Sequence, residues 1–139
     1  MTRLLLIEDE ENERFTLGRA LELSGFEVVA VGSVNAAREA LEGPGYDVVV
    51  TDVFMPGCDG LSFARELATR CPGVPIVLMS AFPFSASQVT RLDIPHLVFV
   101  PKPVDIDRLV ATLRDPGAPK PAEPLVTLPS LRRRTALER

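Results

Sequence analysis

The chain has 139 residues, a formal charge of −4 and 46% hydrophobic residues, enough to bury one core and too few for a second large domain. No apolar run approaches the roughly 18 residues that span a bilayer, and Met1-Thr2-Arg3 leads into an apolar run instead of a signal peptide, which points to a cytoplasmic protein. Residues 1–114 carry ten Lys and Arg against sixteen Asp and Glu, which argues against a nucleic-acid face there, whereas 115–139 carry five against three.

In chain order, strands are expected near 3–8, 26–31, 47–52, 75–80 and 97–101, and helices near 11–24, 34–42, 60–70, 84–92 and 104–114. The first helix turns Leu17, Ala20 and Leu21 inward and is closed by Gly25. Ser33 caps the second, whose Ala37, Ala40 and Leu41 face the core, and Gly43-Pro44-Gly45 forbids its continuation. Cys58 and Cys71, with only His96 as a nitrogen ligand, read as two free thiols and not as a disulfide framework or zinc set. The strands are mostly short, continuous and β-branched, as in sheets covered by helices on both faces. Five βα units in succession imply an α/β fold with a parallel sheet and right-handed crossovers. From Asp115 the pattern fails. Pro116, Pro119, Pro121, Pro124 and Pro129 mark residues 115–139 as an extended linker or tail, expected to pack little before Leu125. Its Leu125–Leu131 stretch is apolar enough to dock on the domain or pair with another protomer, and Arg132-Arg133-Arg134 reads more readily as a solvated helix face than as a nucleic-acid contact.

Each apolar run ends in a functional group: Glu8-Asp9 after Leu4–Ile7, Asp52 after Val48–Thr51, Ser80 after Ile76–Met79, and Lys102 after Leu97–Val100. Open α/β sheets bind ligands beyond the carboxyl ends of their strands. Three carboxylates, a hydroxyl and an ammonium gathered there suit a metal ion and a phosphoryl group. No G-x-x-x-x-G-K or G-x-G-x-x-G run supports a nucleotide enzyme.

Glu8-Asp9-Glu10, Asp52-Val53-Phe54-Met55-Pro56-Gly57-Cys58-Asp59-Gly60, Met79-Ser80-Ala81 and Val100-Pro101-Lys102-Pro103 together resemble the receiver domain of two-component response regulators, over about residues 2–114. The resemblance implies a CheY-like, flavodoxin-like doubly wound five-stranded parallel sheet of order 2-1-3-4-5 flanked by five helices, with residues 1–114 as the receiver domain. It implies that Asp52 accepts a phosphoryl group from a sensor histidine kinase, and that Mg2+ is held by Asp9, Asp52, the Phe54 carbonyl and Glu8, the last directly or through water. Lys102 and Ser80 would contact the phosphoryl oxygens, Phe99 would act as the switch aromatic, and Lys102-Pro103 would be cis. The chain would be no enzyme beyond its own phosphoryl transfer and dephosphorylation.

The residues also admit plainer roles. Asp52 and Ser80 can cap helices, Glu8 and Asp9 can complement a helix dipole, Lys102 can solvate a loop, and Phe99 can be core. Glu8 replaces the commoner Asp, and Leu92-Asp93-Ile94-Pro95-His96 replaces the small pair usual before the fifth strand. The resemblance implies a downstream protein on the fourth helix, fifth strand and fifth helix, and these departures leave its identity, like any homodimer, open. The resemblance implies that the side chains two positions after Asp52 and two after Ser80 border the approach of a hydrolytic water; here they are Phe54 and Phe82, which cannot orient it, so slow loss of phosphate is expected. The alternatives are a receiver-like binding module that is never phosphorylated, or the receiver piece of a longer DNA-binding regulator.

Overall fold

The computed structural model describes residues 1–55, 57–81 and 93–114, with the Cys58 side chain left aside. The expected helix at 84–92, Phe82 and the tail at 115–139 lie outside the described residues.

Five strands, β1 (Arg3–Ile7), β2 (Glu27–Val31), β3 (Val48–Asp52), β6 (Ile76–Ser80) and β7 (Leu97–Pro101), form one parallel sheet of order β2-β1-β3-β6-β7. Counted along the five sheet strands alone, this is the expected 2-1-3-4-5 order. Helices α1 (Glu11–Leu23), α2 (Val34–Ala40), α3 (Gly60–Arg70) and α4 (Ile106–Arg114) cover it. Alternate strand residues face opposite ways. Leu4, Leu6, Val50 and Met79 pack with Leu17, Leu21 and Leu109 of α1 and α4, whereas Leu5, Ile7, Val49 and Leu78 pack with Ala37, Phe63 and Leu67 of α2 and α3. Burial on both faces explains why these strands read as continuous apolar runs. Among the described residues no helix is long and apolar enough to cross a membrane.

The helix ends follow local chemistry. At the end of α1, Phe26 N–H donates to Leu21 O at 3.1 Å and Gly25 N–H to Glu22 O at 3.0 Å, around a Gly25 φ of 101°. This is a Schellman closure, and buried Phe26 and Leu21 supply its apolar contact. Ser33 Oγ accepts from Ala36 N–H at 3.0 Å and caps α2 as expected. That helix stops at Ala40, two residues before the expected 42, because Glu42 and Gly43 N–H turn back to Glu39 and Ala40 carbonyls in a tightened last turn.

The periodicity of the sequence does not foresee the short hairpin that follows β3. Strands β4 (Phe54–Met55) and β5 (Cys58–Asp59) pair antiparallel there. Gly57, with φ of 72°, takes a left-handed conformation that glycine adopts without steric cost.

Candidate functional site

Register places the strand tips. Ile7 lies opposite Thr51, so Glu8 falls beside Asp52; Asp52 lies opposite Met79, and Ser80 opposite Pro101, so Ser80 and Lys102 follow one step on. The Lys102 N–H donates to Ser80 O at 2.9 Å, and the Lys102-Pro103 bond is cis, as expected. The lysine backbone is thus tied to the Ser80 tip.

Lys102 Nζ donates to Glu8 Oε1 at 2.9 Å, Asp52 Oδ2 at 3.0 Å and Glu13 Oε1 at 2.9 Å. Glu8, Asp9 and Asp52 each offer a carboxylate oxygen within 4.8 Å of the others. All three are hard oxygen donors, the type that a divalent cation such as Mg2+ takes. Glu8, Asp52 and Ser80 are buried at 1%, 6% and 1% exposure. Three carboxylates bond one ammonium with a fourth, Asp9, beside two of them, and this surplus of negative charge in a partly dry place is what a divalent cation would relieve.

The electrostatics follow from burial and bonding. Burial pushes the Glu8 carboxyl up to about 7; the Lys102 and Glu10 hydrogen bonds pull against this, and the Asp52 charge adds to it. Burial works against the charge on Lys102, but its bonds to Glu13, Glu8 and Asp52 together outweigh it and hold the ammonium above the ordinary lysine value. Of the pair, the lysine stays charged and the carboxyl titrates.

The plainer roles go to neighbours. Glu10, not Glu8 or Asp9, caps α1, accepting from Glu13 N–H at 2.7 Å. Asp59, not Asp52, caps α3, accepting from Leu61 N–H and Ser62 Oγ at 3.0 Å. Phe54 N–H makes a long 3.4 Å bond to Asp52 Oδ1, and its half-exposed ring stands at the start of the hairpin. Phe99 is buried with Ile7, Leu78 and Phe63 on the α2–α3 face. Cys71 is a free thiol that burial holds above its ordinary pKa.

Three contributors carry little or no signal in the sequence. Glu13 is the third partner of Lys102. Arg14 Nη1 donates to Glu8 O at 2.9 Å and pins the acidic loop to α1. At Gly60 a Cβ would collide with the Val53 carbonyl, so only glycine lets α3 start against the backbone that follows Asp52. Gly60 had a signal in the Asp59-Gly60 pair; Glu13 and Arg14 look like ordinary first-turn surface residues. A cleft of about 610 Å³ opens beside the site between α1 and α4, with Glu13, Leu17, Met79, Lys102 and Ile106 among its walls.

The sequence profile of the response regulator receiver domain matches residues 4–114. The transcriptional regulatory protein TctD of Salmonella typhimurium is 36% identical over 112 residues, 81% of this chain and 50% of TctD. The DNA-binding transcriptional regulator NtrC of Klebsiella pneumoniae is 32% identical over 106 residues, 76% of this chain and 23% of NtrC. Among solved structures, the response regulator TrrA of Thermotoga maritima in complex with Mg2+-BeF superposes with a TM-score of 0.73 at 27% identity, covering 84% of this chain and 99% of that one. The apo receiver domain of NtrC does so with a TM-score of 0.73 at 29% identity, covering 83% and 93%. The chain belongs to the response regulator receiver domain family of two-component signalling. It spans about half or less of the length of these curated relatives.

Proposed function

We propose that the protein is a phosphoryl-accepting switch in which Asp52 takes the phosphoryl group of a histidine kinase. The observation that carries this is Lys102 Nζ at 3.0 Å from Asp52 Oδ2, with Glu8 and Asp9 alongside, on a buried carboxylate that caps no helix among the described residues. An Asp52 oxygen attacks phosphorus, the P–N bond of the phosphohistidine breaks, and the electron pair leaves with the imidazole, which takes up a proton. Lys102 offsets charge on the phosphoryl oxygens, and Ser80 donates its hydroxyl to one of them. Glu8, Asp9, Asp52 and the Phe54 carbonyl would hold Mg2+, which when bound supplies positive charge against the phosphoryl oxygens. The acyl phosphate then shifts the population of a conformer read through Phe99, and a partner docks on the face of residues 84–92, β7 and α4. In this reading the chain works in the cytoplasm, residues 115–139 are a linker or tail, a homodimer is one possible output form, and the only chemistry catalysed is its own.

A second reading has support of its own: the relatives named are transcriptional regulators about twice as long or longer. The described chain would then be the receiver piece of a DNA-binding protein, with the same site.

Incubation with an acyl phosphate donor and Mg2+, followed by intact mass, tests the reading. One phosphate should be gained by the wild type and none by Asp52→Asn; equal gain by both would end it.

A further inference from the structure

Lys102 is saturated, and one of the three groups that saturate it has no part in the phosphoryl chemistry above. An ammonium has three N–H donors. Here they go to Glu8, Glu13 and Asp52 at 2.9, 2.9 and 3.0 Å. Lys102 can therefore reach a phosphoryl oxygen on Asp52 only by giving up a partner. The partners differ in what release costs. In the proposed site Glu8 is offered to the metal and Asp52 is changed by the phosphoryl group itself, whereas Glu13 has neither role and, at 53% exposure, returns to solvent at the least cost. The Glu13 backbone is held separately, its N–H donating to the Glu10 carboxylate at 2.7 Å, so the side chain can swing without unsettling the start of α1.

We propose that Glu13 is a positioning residue acting through Lys102: it holds the ammonium at the α1 edge of the site in the resting protein and is exchanged for a phosphoryl oxygen when Asp52 is modified. This rests on the reading of Asp52 as acceptor. The exchange also has a surface consequence. Glu13 stands on the wall of the cleft between α1 and α4, so its release puts an unpaired carboxylate on that wall only in the phosphorylated state.

The test uses the 15N resonance of the Lys102 ammonium together with beryllofluoride, a phosphoryl stand-in, in the presence of Mg2+. In the resting, metal-free protein, Glu13→Gln should shift that resonance, while Glu11→Gln, a neutralisation in the same first turn, should leave it in place. With beryllofluoride bound, the wild-type resonance should become insensitive to Glu13→Gln. Beryllofluoride should bind Glu13→Gln about three- to fivefold more tightly than wild type, the size of one exposed ion pair released. An indifferent resting resonance would overturn the proposal. So would a Lys102–Glu13 pair that persists with beryllofluoride bound, or equal tightening by Glu11→Gln, which would mean general charge and not exchange. If the wild type binds no beryllofluoride at all, the acceptor reading itself fails, and that outcome is distinct from binding that leaves Glu13 in place.

Discussion

Two charge clusters in this molecule are near mirror images. On the helix surface, Glu66 accepts from Arg38 Nε at 2.9 Å, Arg38 Nη2 at 2.8 Å and Arg70 Nη1 at 3.2 Å, one anion between two cations. At the carboxyl edge of the sheet, Lys102 is one cation among three anions with a fourth, Asp9, nearby. The Arg38 and Glu66 side chains of the first cluster are 46% and 30% exposed, and water solvates their charge at little cost. The surplus anions of the second include Glu8 and Asp52, which water hardly reaches. The surface ion pairs tie α2 to α3; the covered carboxylates are what a bound divalent cation would relieve.

The comparison can be broken most sharply by mutation. Asp52→Asn should abolish phosphate incorporation while the fold stays intact by circular dichroism. Glu66→Ala should leave incorporation unchanged and cost at most about 1 kcal/mol in chemical denaturation. Next in size is Lys102→Ala. It removes the resident cation, so Mg2+ should bind roughly tenfold more tightly or better in a calorimetric titration, while the response to phosphodonor is lost.

A pH titration separates the clusters by sign. The Glu8 carboxyl is raised from 4.5 to about 7, so the folded protein holds that proton where the unfolded chain has released it. Its contribution to stability is therefore fully present below 4.5 and is lost as pH rises to about 7. Glu66 runs the other way. Hydrogen bonds from Arg38, against a smaller opposing effect of burial, lower its pKa, so its contribution is present above 4.5 and lost as pH falls through the lowered value. Without metal, Glu8→Gln should flatten the decline between about 4.5 and 7, and Mg2+ affinity in the wild type should climb over the same window as the proton is displaced. A decline that survives Glu8→Gln would place the titrating group elsewhere.

The smallest effect concerns lifetime. The Phe54 ring stands half exposed two residues from Asp52 and cannot orient a water. Phe54→Asn should lose its phosphate several-fold faster than wild type when radiolabel release is timed. Unchanged kinetics would mean that this ring does not gate the water.

What was legible in the sequence had a period or a breaker behind it. Strands β1, β3 and β6 and the middle of β7 are apolar runs buried on both faces, and a run's end is where its polar group must emerge, so these runs locate Glu8, Asp9, Asp52 and Lys102 at one edge of the sheet. Gly25 and Ser33 marked helix ends because only certain side chains fit there. The hairpin at β4 and β5 escaped because two-residue strands carry no alternation. Glu13 escaped for a different reason. An acidic residue in the first turn of a helix already has a sufficient local explanation in the dipole, and nothing in one sequence shows that its partner lies 89 positions away. Phe99 could be placed in the sheet, but a buried ring in a packed core looks the same whether or not it moves.

The central claim is that the phosphoryl group lands on the carboxylate of Asp52. Borohydride reduces an acyl phosphate to an alcohol, so an aspartyl phosphate is trapped as homoserine, and peptide mass spectrometry reads its position. After Mg2+ and an acyl phosphate donor, the account predicts homoserine at position 52 and at no other carboxylate. Homoserine at position 9, phosphate retained on Ser80, or no trapped residue in a protein that has gained phosphate would contradict it.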